Sequence, residues 1–378
     1  MAYQSVRRPV PDTRNGGSIM QMVDFFIGAN SPDGFVSFFN QLTDPELRSF
    51  LLKGGPGTGK STMIERAIES ARCGGIVEQI HCSSDPDSLD GALFHEPGIA
   101  IADATSPHVL SPNYPGAVET EVNLFECFDS EPLVAQKEQI ISLFSQKKSL
   151  SRRCQNFLHA ANTLLNDSFY IALENTDLDK VHRCAMRLCA KELPQTGKQG
   201  KEHRRFLSAV TPKGVVTYIG TALELCDRIV VINDEYGCSS RLLLSLIRAH
   251  ALEAGYEIFT CYCPLNPNDK IDHIFIPALG LGFMTSHRYN KLDAFEPYRV
   301  INYTRFTDTS ALKLRKQRLS FNRKASAELI AETISTMGLA ARLHSILEAV
   351  YAQAMDFHKV DEISKKLNAT IADLSERA

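Results

Sequence analysis

The chain has 378 residues, a length that suggests two or three domains, each able to bury its own core. Hydrophobic residues at 44 % and charged residues at 22 % match an ordinary soluble protein, and a net charge of −3 gives no general electrostatic reason to expect nucleic acid. No run approaches the roughly 20 apolar residues that span a bilayer, and ten scattered cysteines do not read as a disulfide framework, so a reducing cytoplasm is the expected compartment.

At the N-terminus, Arg7 and Arg8 are followed by no apolar stretch, so the segment does not read as a signal peptide. Ser49 to Leu52 reads as a short buried strand. It runs into Gly54-Gly55-Pro56-Gly57-Thr58-Gly59-Lys60-Ser61, which fits G-x-x-x-x-G-K-[ST] at every fixed position. Met63, Ala67 and Ile68 then recur at helical spacing, so a helix is expected from about Lys60 to Arg72, ended by Gly74-Gly75. Glycines let successive backbone N–H groups point inward as an anion nest, and the following helix adds the positive end of its dipole. Gly54 to Thr62 is therefore the expected nucleotide site, with Lys60 reaching the β- and γ-phosphates and Ser61 ligating Mg²⁺. The competing reading is a glycine-rich turn that binds nothing.

Residues 76 to 82 read as a second strand, and "GIAIAD", residues 98 to 103, as a third that ends in Asp103. Asp103 is the expected carboxylate facing the magnesium, a Walker B residue and catalytic with Lys60; the alternative is an aspartate capping a turn. Ala104 and Thr105 follow it, so no water-activating glutamate stands there. Asp85, Asp87 and Asp90 lie after the second strand, at the end of a parallel sheet where ligands bind, and one of them could orient water or an acceptor hydroxyl. Asp-Pro turn chemistry explains them equally well.

The remainder repeats this plan. Phe26, Ala29, Pro32, Gly34 and Val36 coincide with Phe206, Ala209, Pro212, Gly214 and Val216 at an offset of 180. Thr105-Ser106 falls on Thr285-Ser286 at the same offset, and Asp177, Lys180 and Val181 fall on Asp356, Lys359 and Val360 at 179. The period is too long for a solenoid. It implies a tandem duplication, joined by the polar residues 194–203. The expected fold class is α/β, with two tandem P-loop NTPase-like parallel-sheet domains, each followed by a helical segment. The first spans 20–193, with an α/β part at 20–128 and a helical part at 131–192. The second spans 203–377, with parts at 203–307 and 309–377. The two repeats could pair as an intramolecular pseudo-dimer.

Cys261 and Cys263 in the second copy read as small apolar side chains on a strand, not as zinc ligands. Residues 311–350 alternate apolar and basic side chains at helical spacing, with Gly338 a break between two helices. The basic face (Lys313, Arg315, Lys316, Arg318, Arg323, Lys324) is expected to be solvated rather than bound to phosphates. The second phosphate loop is degenerate: in residues 233–240 Ser239 is set against Lys60, Asp234 and Glu235 against Gly55 and Pro56, and Phe283 against Asp103. Two carboxylates should repel a triphosphate, so this half is not expected to bind Mg-ATP.

Together "FFIGANSPDGFVSFF", "LLKGGPGTGKST", "HCSSDPDSLDG" and "ATSPHVLSPNYPGAVE" resemble a family of uncharacterised bacterial tandem P-loop NTPases, described as ATPases or ATP-binding proteins. The resemblance implies a duplicated P-loop fold in which the second copy often keeps its glycine loop; this chain departs from that pattern at Asn233 to Ser240. The leading expectation is a cytoplasmic ATPase using ATP and Mg²⁺ at one site. ATP is favoured over GTP on the reading that no guanine-reading N-K-x-D motif appears anywhere in the chain. One alternative is a small-molecule or nucleotide kinase, with Arg152 and Arg153 closing on the transferred phosphate. Another is a non-catalytic ATP-binding regulator or scaffold that docks an unknown protein or small-molecule partner.

Overall fold

A computed structural model describes residues 20–376. Arg7 and Arg8, and residue 377 at the expected end of the second repeat, lie outside the described residues.

The first half begins with strand β1 (Met20–Phe25) and the hairpin β2 (Gly28–Ser31) and β3 (Gly34–Ser37). There follow β4 (Arg48–Lys53), α1 (Lys60–Ser70), β5 (Gly75–His81), β6 (Leu89–Phe94), β7 (Ile99–Asp103) and β8 (Glu119–Asn123). Three helices close it: α2 (Ser130–Ala135), α3 (Lys137–Leu173) and α4 (Leu178–Glu192). The second half repeats the order, with a helix at Ile219–Leu225 where the first has the 3-10 turn Phe39–Thr43. It has β9 (Lys201–Arg205), β10 (Ser208–Thr211), β11 (Gly214–Thr217), α5 (Ile219–Leu225), β12 (Arg228–Asn233) and α6 (Ser240–Glu253). Then come β13 (Glu257–Cys263), β14 (Asn266–Ile276), β15 (Leu281–Ser286), β16 (Arg299–Asn302), α7 (Thr309–Leu314), α8 (Lys316–Ala352) and α9 (Phe357–Glu376). The polar join is shorter than 194–203, because β9 already begins at Lys201.

The two six-stranded sheets have equivalent orders, β1-β5-β6-β7-β4-β8 and β9-β13-β14-β15-β12-β16. Neither is purely parallel, which corrects the expected sheet. β6 runs antiparallel to both β5 and β7, and β14 does the same between β13 and β15. The missed strand β6 is buried at every residue, so it shows none of the alternation that marks a half-exposed strand. α8 corrects a second expectation. It passes unbroken through Gly338, where an added Cβ would meet nothing, so this glycine neither caps nor kinks the helix.

The halves exchange their last helices. The buried face of α4 (Val181, Cys184, Ala185, Leu188) packs with Leu243, Leu244 and Ile247 of α6, in the other half. Reciprocally, Val360, Leu367 and Ile371 of α9 pack with Met63, Ile64 and Ala67 of α1. Asp177 and Asp356, matched in the repeat, cap these two helices by accepting from Lys180 N and Lys359 N. Between them α3 and α8 lie antiparallel, with Lys147 against His344 near one end and Asp167 against Arg318 near the other. Pairs of straps carry the chain across: Asp129 N donates to Ala354 O (2.7 Å) as Asp308 N donates to Asn175 O (2.8 Å). At the pseudo-twofold centre, Phe26 N donates to Phe206 O (2.9 Å) and Phe206 N to Phe26 O (2.8 Å). None of the described helices is long and apolar enough to cross a membrane.

One charge pair is locked into the contact between the sheets. Arg205 of β9 and Glu78 of β5 are both fully buried and meet through two hydrogen bonds, of 2.5 and 2.7 Å. His95 bonds the same carboxylate at 2.7 Å. Burial is the largest single influence and would raise the Glu78 pKa, but the charges and hydrogen bonds of Arg205 and His95 together outweigh it and hold the carboxyl far below the usual range. The stabilisation is therefore present above the ordinary carboxylate pKa and lost as pH falls toward the depressed folded value. Arg205→Met leaves Glu78 buried and uncompensated and should cost about 3–5 kcal/mol in urea unfolding. Adding Glu78→Gln should recover much of that loss. Equal stability of wild type and Arg205→Met would contradict the assignment.

Candidate functional site: a glycine loop closed by the other half

β4 delivers the chain to the loop because Phe50, Leu51 and Leu52 are buried in the sheet. Gly59 ends the loop at φ +83°, a left-handed conformation that a side chain disfavours, and α1 starts at Lys60. The Lys60 ammonium folds back over the loop, donating to Gly54 O (3.0 Å) and Gly55 O (2.8 Å). Asp103 ends the neighbouring strand β7, aligned with Leu52, and lies 3.5 Å from Lys60. Burial pushes its pKa up despite Lys60 and the bonds from Thr105, so a second positive charge beside it would hold it ionised. Ser61 Oγ accepts from Leu89 N at 2.9 Å. A hydroxyl and an under-compensated carboxylate form a donor set that fits Mg²⁺.

The three aspartates after β5 separate. Asp90 is buried and pairs with His108 at 3.0 Å, and its charge reaches Asp103. Asp85 shapes its own turn by accepting from Ser88 Oγ (2.7 Å), yet its field reaches α8. Asp87 is exposed and paired with Lys213.

What closes the loop comes from the two long helices. A Cβ on Gly57 would lie 2.7 Å from the carbonyl oxygen of Glu348, and one on Gly55 3.2 Å from Tyr351. The last turns of α8, from the other half, therefore rest on glycines whose missing side chains admit them. Lys147 of α3 meets His344 Nδ1 at 2.9 Å, and His344 Nε2 is 3.7 Å from Glu348. Burial, then Lys147 and Lys60, pushes His344 down to about 4, so the ring is neutral near pH 7. Burial and Asp85 raise Glu348 above the ordinary glutamate value, against Lys147 and Lys60. Arg152 and Arg153, the pair assigned to a closing lid, are exposed farther along α3. Lys147 is the α3 cation that shares this environment.

The equivalent place in the second half is built differently from the sequence alignment. The strand registers put Asp234 at Gly54, Gly237 at Gly57 and Ser240 at Lys60, one residue beyond the Ser239 expected there. Thr285, not Phe283, occupies the position of Asp103. Gly57 and Gly237 share a left-handed φ, +68° and +73°, so the loop shape persists. The nest is filled from within. The Asp234 carboxylate accepts from the backbone N–H of Gly237 (2.9 Å), Ser239 (2.8 Å) and Ser240 (2.8 Å), and from Ser239 Oγ (2.9 Å). Phe169 stands at the place of Glu348, with the Arg241 guanidinium 3.8 Å from its ring centroid. The argument against GTP also falls. Asn290-Lys291-Leu292-Asp293 spells N-K-x-D in the second half, although Asn290 is buried there and donates to His273 at 3.2 Å.

Comparison with family models, with curated proteins and with solved structures found no match. The molecule is an α/β protein of two equivalent mixed sheets, each followed by helices, with one glycine loop capped by α8 and one self-filled copy.

Glu348, His344 and Lys147 had no sequence signal as site residues, since each sits in an amphipathic helix far along the chain from the loop. Asp234→Ala should leave the second nest's buried N–H groups without an acceptor and destabilise the protein by on the order of 3 kcal/mol in urea unfolding. Asp234→Asn, which keeps one acceptor oxygen, should cost less; no loss in either variant would show that the nest is not held by this carboxylate.

Proposed function

We propose that the chain is a magnesium-dependent ATPase with one site, on Gly54 to Thr62, completed by α3 of its own half and by α8 from the other half. The observation that carries this reading is Glu348: its backbone rests on Gly57 and its carboxylate feels the Lys60 charge, so it can serve as the carboxylate that the sequence lacks after Asp103. Loop N–H groups and Lys60 bind the β- and γ-phosphates. Mg²⁺, held by Ser61 and Asp103, would neutralise charge developing on the phosphate oxygens. Glu348 accepts the proton of the water whose oxygen bonds the γ-phosphorus, while the bond to the β–γ bridging oxygen breaks and ADP leaves. Neutral His344, anchored by Lys147, positions Glu348, and Lys147 adds a cation near the transferred group. The choice of ATP over GTP rests on the resemblance of the chain's motifs to ATPases.

Purified protein with Mg²⁺ and γ-labelled ATP should release free phosphate. Lys60→Ala should lose nucleotide binding and turnover together. Glu348→Gln should keep binding but slow turnover by about 10²–10⁴-fold, the usual worth of a general base. The raised Glu348 pKa sets the pH dependence. Turnover needs the ionised form, so the rate falls on the acid side at a pH above the ordinary glutamate value, and Glu348→Gln removes that limb. Label retained on ATP, or moved to an acceptor instead of water, would sink the proposal.

A further inference from the structure

The second half contains a cavity of about 390 Å³, a volume in the range of small-molecule sites. It opens beside the self-filled loop, between β14, the loop after β15, and helices α3, α7 and α8. Its walls combine apolar side chains (Val210, Leu265, Ile330) with the rings of Tyr236, Tyr289 and Tyr303. Such walls suit a flat ring better than a fully polar ligand.

Its polar lining is incompletely paired. Arg241 Nε and His287 Nε2 are buried without a hydrogen-bond partner. His287 Nδ1 accepts from Tyr289 N at 3.3 Å, which leaves the proton of the neutral ring on Nε2, a donor without an acceptor. Two buried donors without acceptors are costly alone and are satisfied by an anionic ligand. Lys313, Lys316 and Arg323 also line the cavity, exposed and without a carboxylate partner among the described residues. The carboxylates present are engaged already. Asp272 pairs with Lys270 at 2.8 Å, Glu235 pairs with Arg288, and Asp234 fills the nest. The cavity therefore offers several positive groups with no free carboxylate to hold magnesium.

We infer that this cavity is a second, metal-independent binding site for a ring-bearing organic phosphate of nucleoside-monophosphate size, with its ring among the tyrosines and its phosphate on Lys316, Arg323 and Arg241. The site is separate from the glycine loop and unlike it. The loop offers backbone N–H groups and the Ser61–Asp103 donor set; this cavity offers side-chain cations. Duplication thus gives one half for a triphosphate and one for a smaller anion.

The test uses the full chain, with EDTA present and N-methylanthraniloyl-AMP as a fluorescent probe. The probe should bind saturably to wild type and, within about twofold, to Lys60→Ala. Lys316→Ala combined with Arg323→Ala, both exposed positions, should weaken binding by about tenfold or more through loss of two charge-assisted contacts. Leu265→Trp, which fills the cavity from its partly exposed wall, should abolish binding, and the uncharged N-methylanthraniloyl-adenosine should bind at least about tenfold more weakly than the phosphate. Failure of the probe to saturate would overturn the inference, as would equal binding of the uncharged nucleoside. Loss of binding in Lys60→Ala with none in the cavity variants would place the probe on the glycine loop and overturn it too.

Discussion

The exchange of helices across the pseudo-twofold axis is the constraint on which the rest of this molecule depends. Neither sheet is covered by its own last helix. α9 lies on α1, and α4 lies on α6, so each half's core is completed by the other. The chain must then cross the molecule twice, and the antiparallel α3–α8 pair with its reciprocal backbone straps is how it does so. A helix that crosses ends over the opposite sheet. That is why the last turns of α8 rest on the glycine loop of the first half, and why Phe169 of α3 meets Arg241 of α6 in the second.

Once the halves are interlocked, the two loops can diverge without loss of the fold. Packing requires that each loop keep its shape, and the shared left-handed glycine at Gly57 and Gly237 shows that it has. It does not require that each nest hold an exogenous anion. In the second half, Asp234 supplies the negative charge from its own backbone position and satisfies the N–H groups that a phosphate would otherwise meet. The expected repulsion between two carboxylates and a triphosphate understated this arrangement: one carboxylate occupies the nest, and the other, Glu235, turns out to Arg288.

What was legible in the sequence was local. Strand, glycine loop and helix over residues 48–70 follow from contiguous residues, and the tandem repeat follows from matched turn glycines and helix caps such as Asp177 and Asp356. The rest depended on non-local facts. β6 carries no alternation because both its faces are buried. The exchange of α4 and α9 was invisible, since a repeat folded on itself and a repeat folded on its partner have the same sequence offset. Glu348 reads as one more helical glutamate until α8 is seen crossing to Gly57. A one-residue shift at the loop misplaced Ser239 and a two-residue shift at β15 misplaced Phe283, which strand registers alone could correct.

The most direct measurement is hydrogen–deuterium exchange of the intact chain with and without Mg²⁺ and a non-hydrolysable ATP analogue. If the loop and α8 form one site, the backbone of residues 344–351 gains or loses protection together with residues 54–62. Protection confined to residues 54–62 and 103, with residues 344–351 unchanged, would contradict a site completed by the other half.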